Sequence, residues 1–346
     1  MSLDKKKIKI AHVHVWDQKN KGDVAIVLAV QELLRKKFPA SRILDFPVET
    51  LKEYDQKKID RINQSDVLIF GGGGLFYHYF LPYNLRVIAA IKVPIIIFGV
   101  GYIQEIGASG LDATKLHSLL ALAKKAKLVG VRDFYTKNFL LRNKMSARKI
   151  ELIGDPATLL SEQVPMVSIP KDRVKIGLNL NYSGWLGFGQ WQDDILKAYQ
   201  DLANYFIKEY KAKVYYLKHH PGEDNIYRAL KIPRLEVIDL SPREQKYVYG
   251  QLDLVVGMML HVGVMSFGAL TPEINVAYDL RNYSFARFIN CPELVIDLEK
   301  LKHGELLKSA KTVWSGRDAY IKKFERRRRF IREQQLAFLD KIASLF

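Results

Sequence analysis

The sequence predicts an α/β protein with two facing Rossmann-like domains, each built on a parallel sheet, and a long C-terminal helix. Short apolar runs alternate with helical patterns through both halves of the chain, which is typical of parallel strands covered by helices on both faces. The 346 residues exceed what one compact core usually holds. Between the halves, residues 161–173 lack periodicity and contain Pro165 and Pro170, which indicates a linker.

The first half alternates strand and helix as one Rossmann-like domain does. Its predicted strands are short apolar runs bounded by turn residues, at 8–15, 43–46, 66–70, 95–100, 128–131 and 150–153. Helices are predicted where apolar residues recur with helical spacing, at 23–38, 85–91, 111–126 and 133–142. These elements place the first domain at residues 1–165.

The second half repeats the alternation and predicts a second domain at residues 171–315. Its predicted strands are at 174–180, 214–218, 235–240, 254–256, 273–277 and 294–296. Its predicted helices are at 193–211, 222–230, 242–249, 262–270 and 283–289. Residues 316–346 are expected to form a basic helix that could pack back on the first domain.

The chain carries a formal net charge of +17 at pH 7. A basic surface attracts nucleic acid, anionic lipid head groups or small polyanions, although it can also serve solubility alone. From Arg317 onward, the chain has nine Lys and Arg and four Asp and Glu, so this segment carries a formal net charge of +5. Arg326 to Arg329 are consecutive and so spread around a helix, which favours a partly exposed helix near an anionic surface over a DNA-reading helix. No nucleic-acid module signature is present, so no nucleic acid partner is predicted.

Three features predict a cytoplasmic protein that could lie against the inner face of a membrane. The single cysteine, Cys291, excludes an intrachain disulfide and an all-cysteine metal site. No apolar run approaches the roughly 18 to 20 residues needed to cross a bilayer. The first residues show no apolar signal region. The sequence does not determine the oligomeric state.

Glycines at predicted strand ends indicate a ligand site lined by backbone. Four consecutive glycines follow the strand at 66–70, and Gly101 follows the strand at 95–100. Glycine lets the backbone approach a ligand closely, and its amide can bind an anion. Neither cluster matches a Walker loop or the dinucleotide fingerprint. Gly72, Gly73, Gly74 and Gly101 are therefore candidate ligand-binding residues.

Several polar residues also stand at predicted strand ends or helix starts. Asp23 suits the first turn or N-cap of a helix, or a ligand loop beyond the first strand. Arg132 could hold a phosphate or carboxylate with two hydrogen bonds, or could bridge to Asp133 or Asp155. His261, just past a strand, could donate to phosphate or transfer a proton, or could be a buried structural histidine.

Histidine pairs give no convincing metal site in the sequence. His219 and His220 are adjacent and would point in opposite directions on an extended segment. His12 and His14 share a strand face but lack evident partners. Zinc sites usually need three or four protein ligands, so we predict no metal.

Aromatic residues concentrate in a glycine-rich loop after the first strand of the second half. Tyr182, Trp185 and Trp191 belong to this loop. Aromatic faces pack on sugar rings, so the loop could bind a saccharide acceptor. The alternative is that these rings pack on one another.

Taken in order, the motifs resemble those of the polysaccharide pyruvyl transferases over about residues 10 to 290. The blocks that carry the resemblance are Asn20-Lys-Gly-Asp23, the stretch 66–75, Phe98-Gly-Val-Gly101, Val131-Arg-Asp133, Gly154-Asp-Pro156, Leu260-His261, Ala269-Leu-Thr-Pro272 and Ala277-Tyr-Asp279. The resemblance implies a GT-B-like fold. It also implies phosphoenolpyruvate as donor substrate, no further cofactor, and a sugar hydroxyl as acceptor, which yields a pyruvate ketal and phosphate.

One position departs from the family pattern. The family's C-terminal block usually reads Arg-Leu-His, and here Met259 takes the place of the arginine. A charge-assisted contact is worth about 1.5–3 kcal/mol. Arg281, Lys218 or Arg132 could take the place of the missing arginine. Otherwise the donor differs or the activity has been lost.

With this resemblance, roles can be assigned as hypotheses. His261 is the predicted acid or phosphate donor, and Asp23 or Asp155 the predicted base. Arg132 and Arg281, with the glycine amides, are predicted to bind the donor. The acceptor is predicted to be a saccharide, which could be lipid-linked. The alternatives are a glycosyltransferase that uses a nucleotide sugar and a non-catalytic saccharide-binding relative.

Overall fold

The computed structural model of the protein describes residues 7–181 and 188–346. The chain divides into two compact units. The first comprises the described residues up to Asp17, together with Ile26–Pro156 and Ile331–Phe346. The second comprises Gln18–Ala25 and Ala157–Phe330.

The first unit contains a six-stranded sheet in which every pairing is parallel. Its strands are β1 Lys9–His14, β2 Arg42–Pro47, β3 Val67–Phe76, β4 Ile95–Tyr102, β5 Leu128–Val131 and β6 Ile150–Leu152. Their order across the sheet is β2-β1-β3-β4-β5-β6. Strands β3 and β4 are buried at every position, as central strands of a sheet covered on both faces must be.

Five helices accompany these strands along the described chain. They are α1 Lys21–Lys37, α2 Gln56–Asn63, α3 Leu85–Ala90, α4 Ala113–Lys125 and α5 Phe134–Arg142. Helix α2 was not predicted, because Ile59 and Ile62 are the only apolar residues among its eight, which is too few to indicate a helix.

Strand β3 extends further than its sequence predicts. The predicted strand ends at Phe70, whereas β3 continues through the four glycines to Phe76. The glycine backbone has φ of +82° at Gly72 and +100° at Gly73, and the pairing with β4 shifts register between Gly73 and Phe76. Glycine adopts such left-handed angles without steric cost. The glycines therefore form a buried irregularity within β3.

The second unit contains another six-stranded sheet with parallel pairing throughout. Its strands are β7 Lys175–Leu178, β8 Lys213–Leu217, β9 Glu236–Ile238, β10 Leu254–Gly257, β11 Glu273–Ala277 and β12 Val295–Asp297. The order is β12-β11-β10-β7-β8-β9. The two sheets confirm the prediction of an α/β protein with Rossmann-like parallel sheets.

Seven further helices complete the described structure. They are α6 Gln192–Tyr210, α7 Asp224–Ala229, α8 Pro242–Tyr249, α9 Leu260–Gly268, α10 Leu280–Phe288, α11 Glu305–Ser315 and α12 Arg317–Ala343. Short 3-10 helices occur at Val48–Leu51, Ala147–Lys149, Pro156–Leu159, Phe188–Trp191, Pro221–Glu223, Pro292–Leu294 and Leu298–His303. Among the helices described, none is both long and apolar enough to cross a membrane.

The long helix α12 confirms the predicted C-terminal helix. Its Phe324 packs on Phe267, with ring centroids 5.0 Å apart, in the second unit. Its Phe338 packs on Phe98, with centroids 5.7 Å apart, in the first unit. Both phenylalanines of α12 are fully buried, so the helix contributes to the core of each unit.

Candidate functional site

The carboxyl ends of β7 and β10 form the topological switch point of the second sheet. These two strands are neighbours, and the chain leaves them toward opposite edges. Open α/β sheets bind ligands at such a point. Asn179 follows β7, and its Oδ1 accepts from the backbone N–H of Met259, which follows β10, at 3.3 Å. This hydrogen bond joins the two strand ends immediately before His261.

His261 lies in the first turn of α9 and is 8% exposed. Its ring packs against Gly22 so closely that a Cβ at Gly22 would be 2.4 Å from His261 Nδ1. Real Cβ contacts are not that short, so only glycine fits there without moving the ring. The Asn20–Asp23 motif and the His261 motif, which are far apart in sequence, therefore meet in the second unit.

Asn20 provides the cap at the start of α1. Its Oδ1 accepts from the backbone N–H of Gly22 at 3.0 Å and of Asp23 at 3.4 Å. Asp23 stands in the first turn, where a carboxylate is favoured by the helix dipole. Since Asn20 takes the capping role, the Asp23 carboxylate does not need to serve as the N-cap.

Lys21 ties the start of α1 to the segment that follows β8. Its Nζ donates to the carbonyl of Lys218 at 2.7 Å and to Asp239 Oδ1 at 2.6 Å. Its backbone N–H donates to the carbonyl of His219 at 3.0 Å. Burial lowers the pKa of Lys21. The sequence patterns did not predict a role for Lys21, although it belongs to the Asn20-Lys-Gly-Asp23 motif.

Glu223 is a fully buried acid beside the same strand ends. Its Oε2 accepts from Tyr216 at 2.9 Å and from Asn179 Nδ2 at 3.0 Å, and its Oε1 accepts from the backbone N–H of His219 at 3.0 Å. Burial raises the pKa of Glu223 to about 8. The network through Glu223 holds Asn179 in the orientation that the Met259 contact requires.

His219 and His220 do not form a ligand pair. The His219 ring contacts the Tyr249 hydroxyl through Nε2 at 2.7 Å, and burial lowers the pKa of His219 to about 3. His220 Nδ1 instead accepts from the backbone N–H of Gly222 at 2.9 Å. These separate partners agree with the predicted divergence of the two side chains.

In the first unit, Arg132 forms the bridge that was one of its two predicted roles. Its Nε lies 3.3 Å from Asp133 Oδ2, and its Nη1 lies 3.4 Å from Asp155 Oδ2. The side chain is 2% exposed and lies against Gly101, where a Cβ would be 2.2 Å from Arg132 Nε. Within the described structure, Nη2 is buried without a hydrogen-bond partner. Both N–H groups of Nη2 are therefore without an acceptor among the described residues.

A model of the family described as polysaccharide pyruvyl transferase matches residues 20–279. The chain belongs to this family. The matched region begins at Asn20 and ends at Asp279, which are the first and last residues of the motifs that carried the resemblance. Membership makes the chain a transferase. A comparison with curated protein sequences found no match.

Solved structures share the fold of this chain at low sequence identity. UDP-GlcNAc 2-epimerase from Neisseria meningitidis, bound to UDP-GlcNAc, is 11% identical, with 97% of this chain and 100% of the other covered and a TM-score of 0.61. HepE from Anabaena, in complex with UDP and glucose, is 10% identical, with 98% and 99% covered and a TM-score of 0.59. The glycotransferase of kitacinnamycin is 13% identical, with 98% and 99% covered and a TM-score of 0.59. These similarities show a GT-B-like fold.

Other predicted site residues of this transferase have local partners. Asp279 caps α10, and its Oδ2 lies 2.8 Å from Arg281 Nη2. The Trp191 ring lies 4.7 Å from Lys302 Nζ in a cation–π contact. Tyr182 and Trp185 lie outside the described residues. The donor-binding roles of Gly72, Gly73, Gly74, Gly101, Arg132 and Arg281 stay predictions, as does a role of Trp191 in binding the acceptor.

The histidines of β1 do have an acidic neighbour, contrary to the reading of the sequence. Asp45 on β2 pairs in register with His12, and its Oδ1 lies 3.0 Å from His14 Nε2 and 3.9 Å from His12 Nδ1. Burial lowers the pKa of His12 to about 3, so its ring is neutral at physiological pH. The parallel pairing of β1 and β2, which the sequence does not specify, brings the acid to the histidines.

A cleft of about 820 Å³ lies at the opposite end of the second sheet. It is lined by residues that precede β7, β8 and β9, including Arg173, Lys211 and Arg234. None of the predicted site residues lines it. Because ligands of open α/β sheets bind at the carboxyl ends of the strands, this cleft is a poor candidate for the active site.

Proposed function

We propose that this transferase moves a pyruvyl group from phosphoenolpyruvate to sugar hydroxyls of a polysaccharide or its precursor, forming a ketal and releasing phosphate. The observation that carries the proposal is the packing of His261 against Gly22 at the switch point of the second sheet. This contact brings the first motif of the family together with its Leu260-His261 motif, at a side chain that can transfer a proton.

The reaction requires protons to move in both directions. A proton is added to the methylene carbon of phosphoenolpyruvate, and a sugar hydroxyl attacks the neighbouring carbon and loses its proton. The bond from that carbon to the phosphate oxygen then breaks, and a second hydroxyl attacks and loses its proton. Phosphate leaves with the electron pair, so fixed donors near it stabilise the developing charge.

We assign His261 as the acid or as the donor to the departing phosphate. Asp23 is the favoured base, because it follows Gly22 directly and stands in the first turn of α1. Asp155 is the weaker candidate, because its carboxylate already pairs with Arg132.

A cation must replace the arginine that Met259 displaces from the family pattern. Lys218 and Arg281 are the candidates in the second unit. Lys218 Nζ lies 2.7 Å from Asp224 Oδ1 and 3.0 Å from Asp239 Oδ2, and Arg281 pairs with Asp279. Each cation would have to share its charge between its acid and the donor substrate, which predicts weaker donor binding than an unpaired arginine would give.

The second candidate function is a glycosyltransferase that uses a nucleotide sugar. The observation that favours it is Met259, since the loss of the arginine removes a contact to phosphoenolpyruvate. The fold is compatible with this function, because similar structures were solved with UDP, with UDP and glucose, and with UDP-GlcNAc. In both cases the proposed acceptor is a saccharide.

Thermal unfolding with phosphoenolpyruvate, UDP or GDP separates the two donors. A ligand at 100 times its dissociation constant stabilises the folded chain by about 2.7 kcal/mol. We expect phosphoenolpyruvate to raise Tm and the nucleotides to leave it unchanged. A rise with UDP or GDP alone would overturn the pyruvyl transfer proposal in favour of the second function.

Phosphate release in the presence of acceptor tests His261 directly. We expect His261→Ala to reduce the rate by roughly 100-fold or more, as loss of a general acid does. His303→Ala is the matched control, because His303 is exposed in the same unit. This substitution should leave the rate of phosphate release unchanged. Full activity of His261→Ala would remove the assignment.

A further inference from the structure

We infer that His12, His14 and Asp45 form a binding site for a divalent transition metal ion, zinc being the best match, at the β1–β2 edge of the first sheet. One ligand atom from each of the three lies within 4.8 Å of the other two. In tetrahedral zinc sites with bonds of about 2.0–2.1 Å, neighbouring ligand atoms are about 3.3 Å apart. Small side-chain movements would therefore bring the three atoms to one ion.

The hydrogen bonds of each imidazole determine which ring nitrogen is bare. His12 Nε2 lies 3.0 Å from the carbonyl of Gly71, and His14 Nδ1 lies 2.6 Å from the carbonyl of Val15. A carbonyl only accepts, so each of these nitrogens must carry the hydrogen. When the rings are neutral, the other nitrogens, His12 Nδ1 and His14 Nε2, carry lone pairs.

Both bare nitrogens face the same carboxylate oxygen. Asp45 Oδ1 lies 3.0 Å from His14 Nε2 and 3.9 Å from His12 Nδ1. The lone pairs of the two nitrogens and the carboxylate repel one another where neither a proton nor a cation lies between them. Metal-ligating histidines usually donate their second N–H to a carbonyl or carboxylate, as both rings do here.

A proton alone satisfies this cluster less well than a metal does. A proton on His14 Nε2 would make an ion pair with Asp45 but would leave His12 Nδ1 without a partner. His12 is fully buried, and within residues 7–181 and 188–346 its Nδ1 has no hydrogen-bond partner. A buried acceptor left unpaired is costly. One metal ion would use all three lone pairs.

The residues around Asp45 orient it as the supporting residues of a metal site do. Gln31 Nε2 donates to Asp45 Oδ1 at 2.6 Å. Arg35 Nη2 donates to Gln31 Oε1 at 3.2 Å, which turns the amide so that its NH₂ group faces Asp45. Hydrogen bonds to a ligating carboxylate are a regular feature of metal sites.

The proposed site is open on one side. Asp45 is 36% exposed, whereas His12 and His14 are buried. Three protein ligands leave a position for water or for an oxygen of a bound anion, as in zinc sites that act on substrates. Two imidazoles and one carboxylate suit zinc among the common divalent ions and also accept cobalt, which reports its coordination by visible absorption.

Metal binding is tested on the full chain without a histidine tag, after chelation and desalting. We expect one equivalent of Co²⁺ to bind with a visible absorption band and to be displaced by one equivalent of Zn²⁺. Asp45→Asn and His14→Ala should each weaken Zn²⁺ binding by at least 10- to 100-fold, the loss that removal of a supporting residue alone causes. His117→Ala is the matched control, since His117 is an exposed histidine of α4 in the same unit.

Asp45→Asn keeps the test decisive even if His14→Ala does not fold, because Asp45 is partly exposed and the two side chains have similar volume. Equal Zn²⁺ binding by Asp45→Asn and wild type would overturn the inference. So would the absence of stoichiometric Co²⁺ or Zn²⁺ binding by the folded wild type. Neither result bears on phosphoenolpyruvate binding, which is measured separately.

Discussion

At the scale of single residues, glycine identity is explained by what lies against each Cα. Gly22 contacts the His261 ring, and Gly101 contacts the Arg132 guanidinium. At Gly71 a Cβ would be 2.3 Å from the carbonyl oxygen of Phe98. In each case the missing side chain makes room for a neighbour distant in sequence. The glycine motifs thus have local packing roles besides any role in ligand binding.

Gly22→Ala tests whether the position of the His261 ring matters. The new Cβ would force the ring to move, and overpacking typically costs about 1–3 kcal/mol of unfolding free energy. We expect the variant to fold. Its transferase activity should fall at least as far as its loss of stability would account for. The measurements are urea unfolding and phosphate release.

Gly110→Ala is the control for this substitution, because no atom lies within 4 Å of a Cβ at Gly110. It should retain both stability and activity. If Gly22→Ala matched it in both measurements, the ring would tolerate displacement and the proposed placement of His261 would be wrong.

The raised pKa of Glu223 predicts that the stability of the folded chain depends on pH. Its pKa is raised to about 8 in the folded chain from an ordinary value of 4.5, so the folded state binds the proton more tightly than the unfolded state. The resulting stabilisation is complete below the unfolded pKa. It decreases as the pH rises from about 4.5 and is lost above about 8, by an amount of the order of a few kcal/mol.

Glu223→Gln should remove this contribution, because the amide cannot ionise. Urea unfolding from pH 5 to 9 should therefore show a smaller decrease in stability for the variant than for wild type. Burial raises the pKa of Glu273 to about 8 as well, so part of the decrease should remain. Glu209→Gln, at an exposed position of α6, should follow the wild-type curve, and identical curves for all three proteins would contradict the prediction.

At the scale of elements, α12 shows how a charged stretch can serve the fold. The run Arg326 to Arg329 suggested contact with an anionic surface. Arg327 Nε, however, donates to the carbonyl of Phe288 at 2.7 Å, and Arg328 Nη1 donates to the carbonyl of Gly268 at 2.5 Å. Phe288 and Gly268 are the last residues of α10 and α9. Cations are favoured at helix C-termini, where carbonyls lack partners within the helix.

Substitutions along this run should therefore have unequal effects. Arg327→Ala and Arg328→Ala each remove a charged hydrogen bond, which is worth about 1.5–3 kcal/mol. Arg329→Ala changes an exposed residue and should stay within about 0.5 kcal/mol of wild type. Urea unfolding measures the difference. Equal losses for all three variants would show that the arginines act through net charge instead.

At the scale of the whole molecule, the fold limits the chemistry without selecting the donor. Parallel six-stranded sheets with a switch point bind ligands at the carboxyl ends of their strands, whatever those ligands are. The similar solved structures are 10–13% identical to this chain, so they support the fold and not the donor. Which of the two proposed donors the chain uses is therefore expected to depend on side chains such as Met259 and His261.

Much of the fold and the family could be predicted because the evidence is local in the chain. The apolar runs of β4 and β10 and the helical spacing in α6 are readable from neighbouring residues, since strand and helix periods repeat every few positions. The end of β3 was misplaced because consecutive glycines usually indicate a turn. Here they continue a strand, and at Gly71 the carbonyl oxygen of Phe98 on β4 lies where a side chain would have been.

The sequence by itself determined the α/β class, the motifs and the family of this transferase. Only the tertiary structure decided which residues meet: His261 with Gly22, Arg132 with two aspartates, and Asp45 with the histidines of β1. The physical reason is that strand order and register are set by burial summed over the whole sheet. No local pattern records which strand a given residue will face.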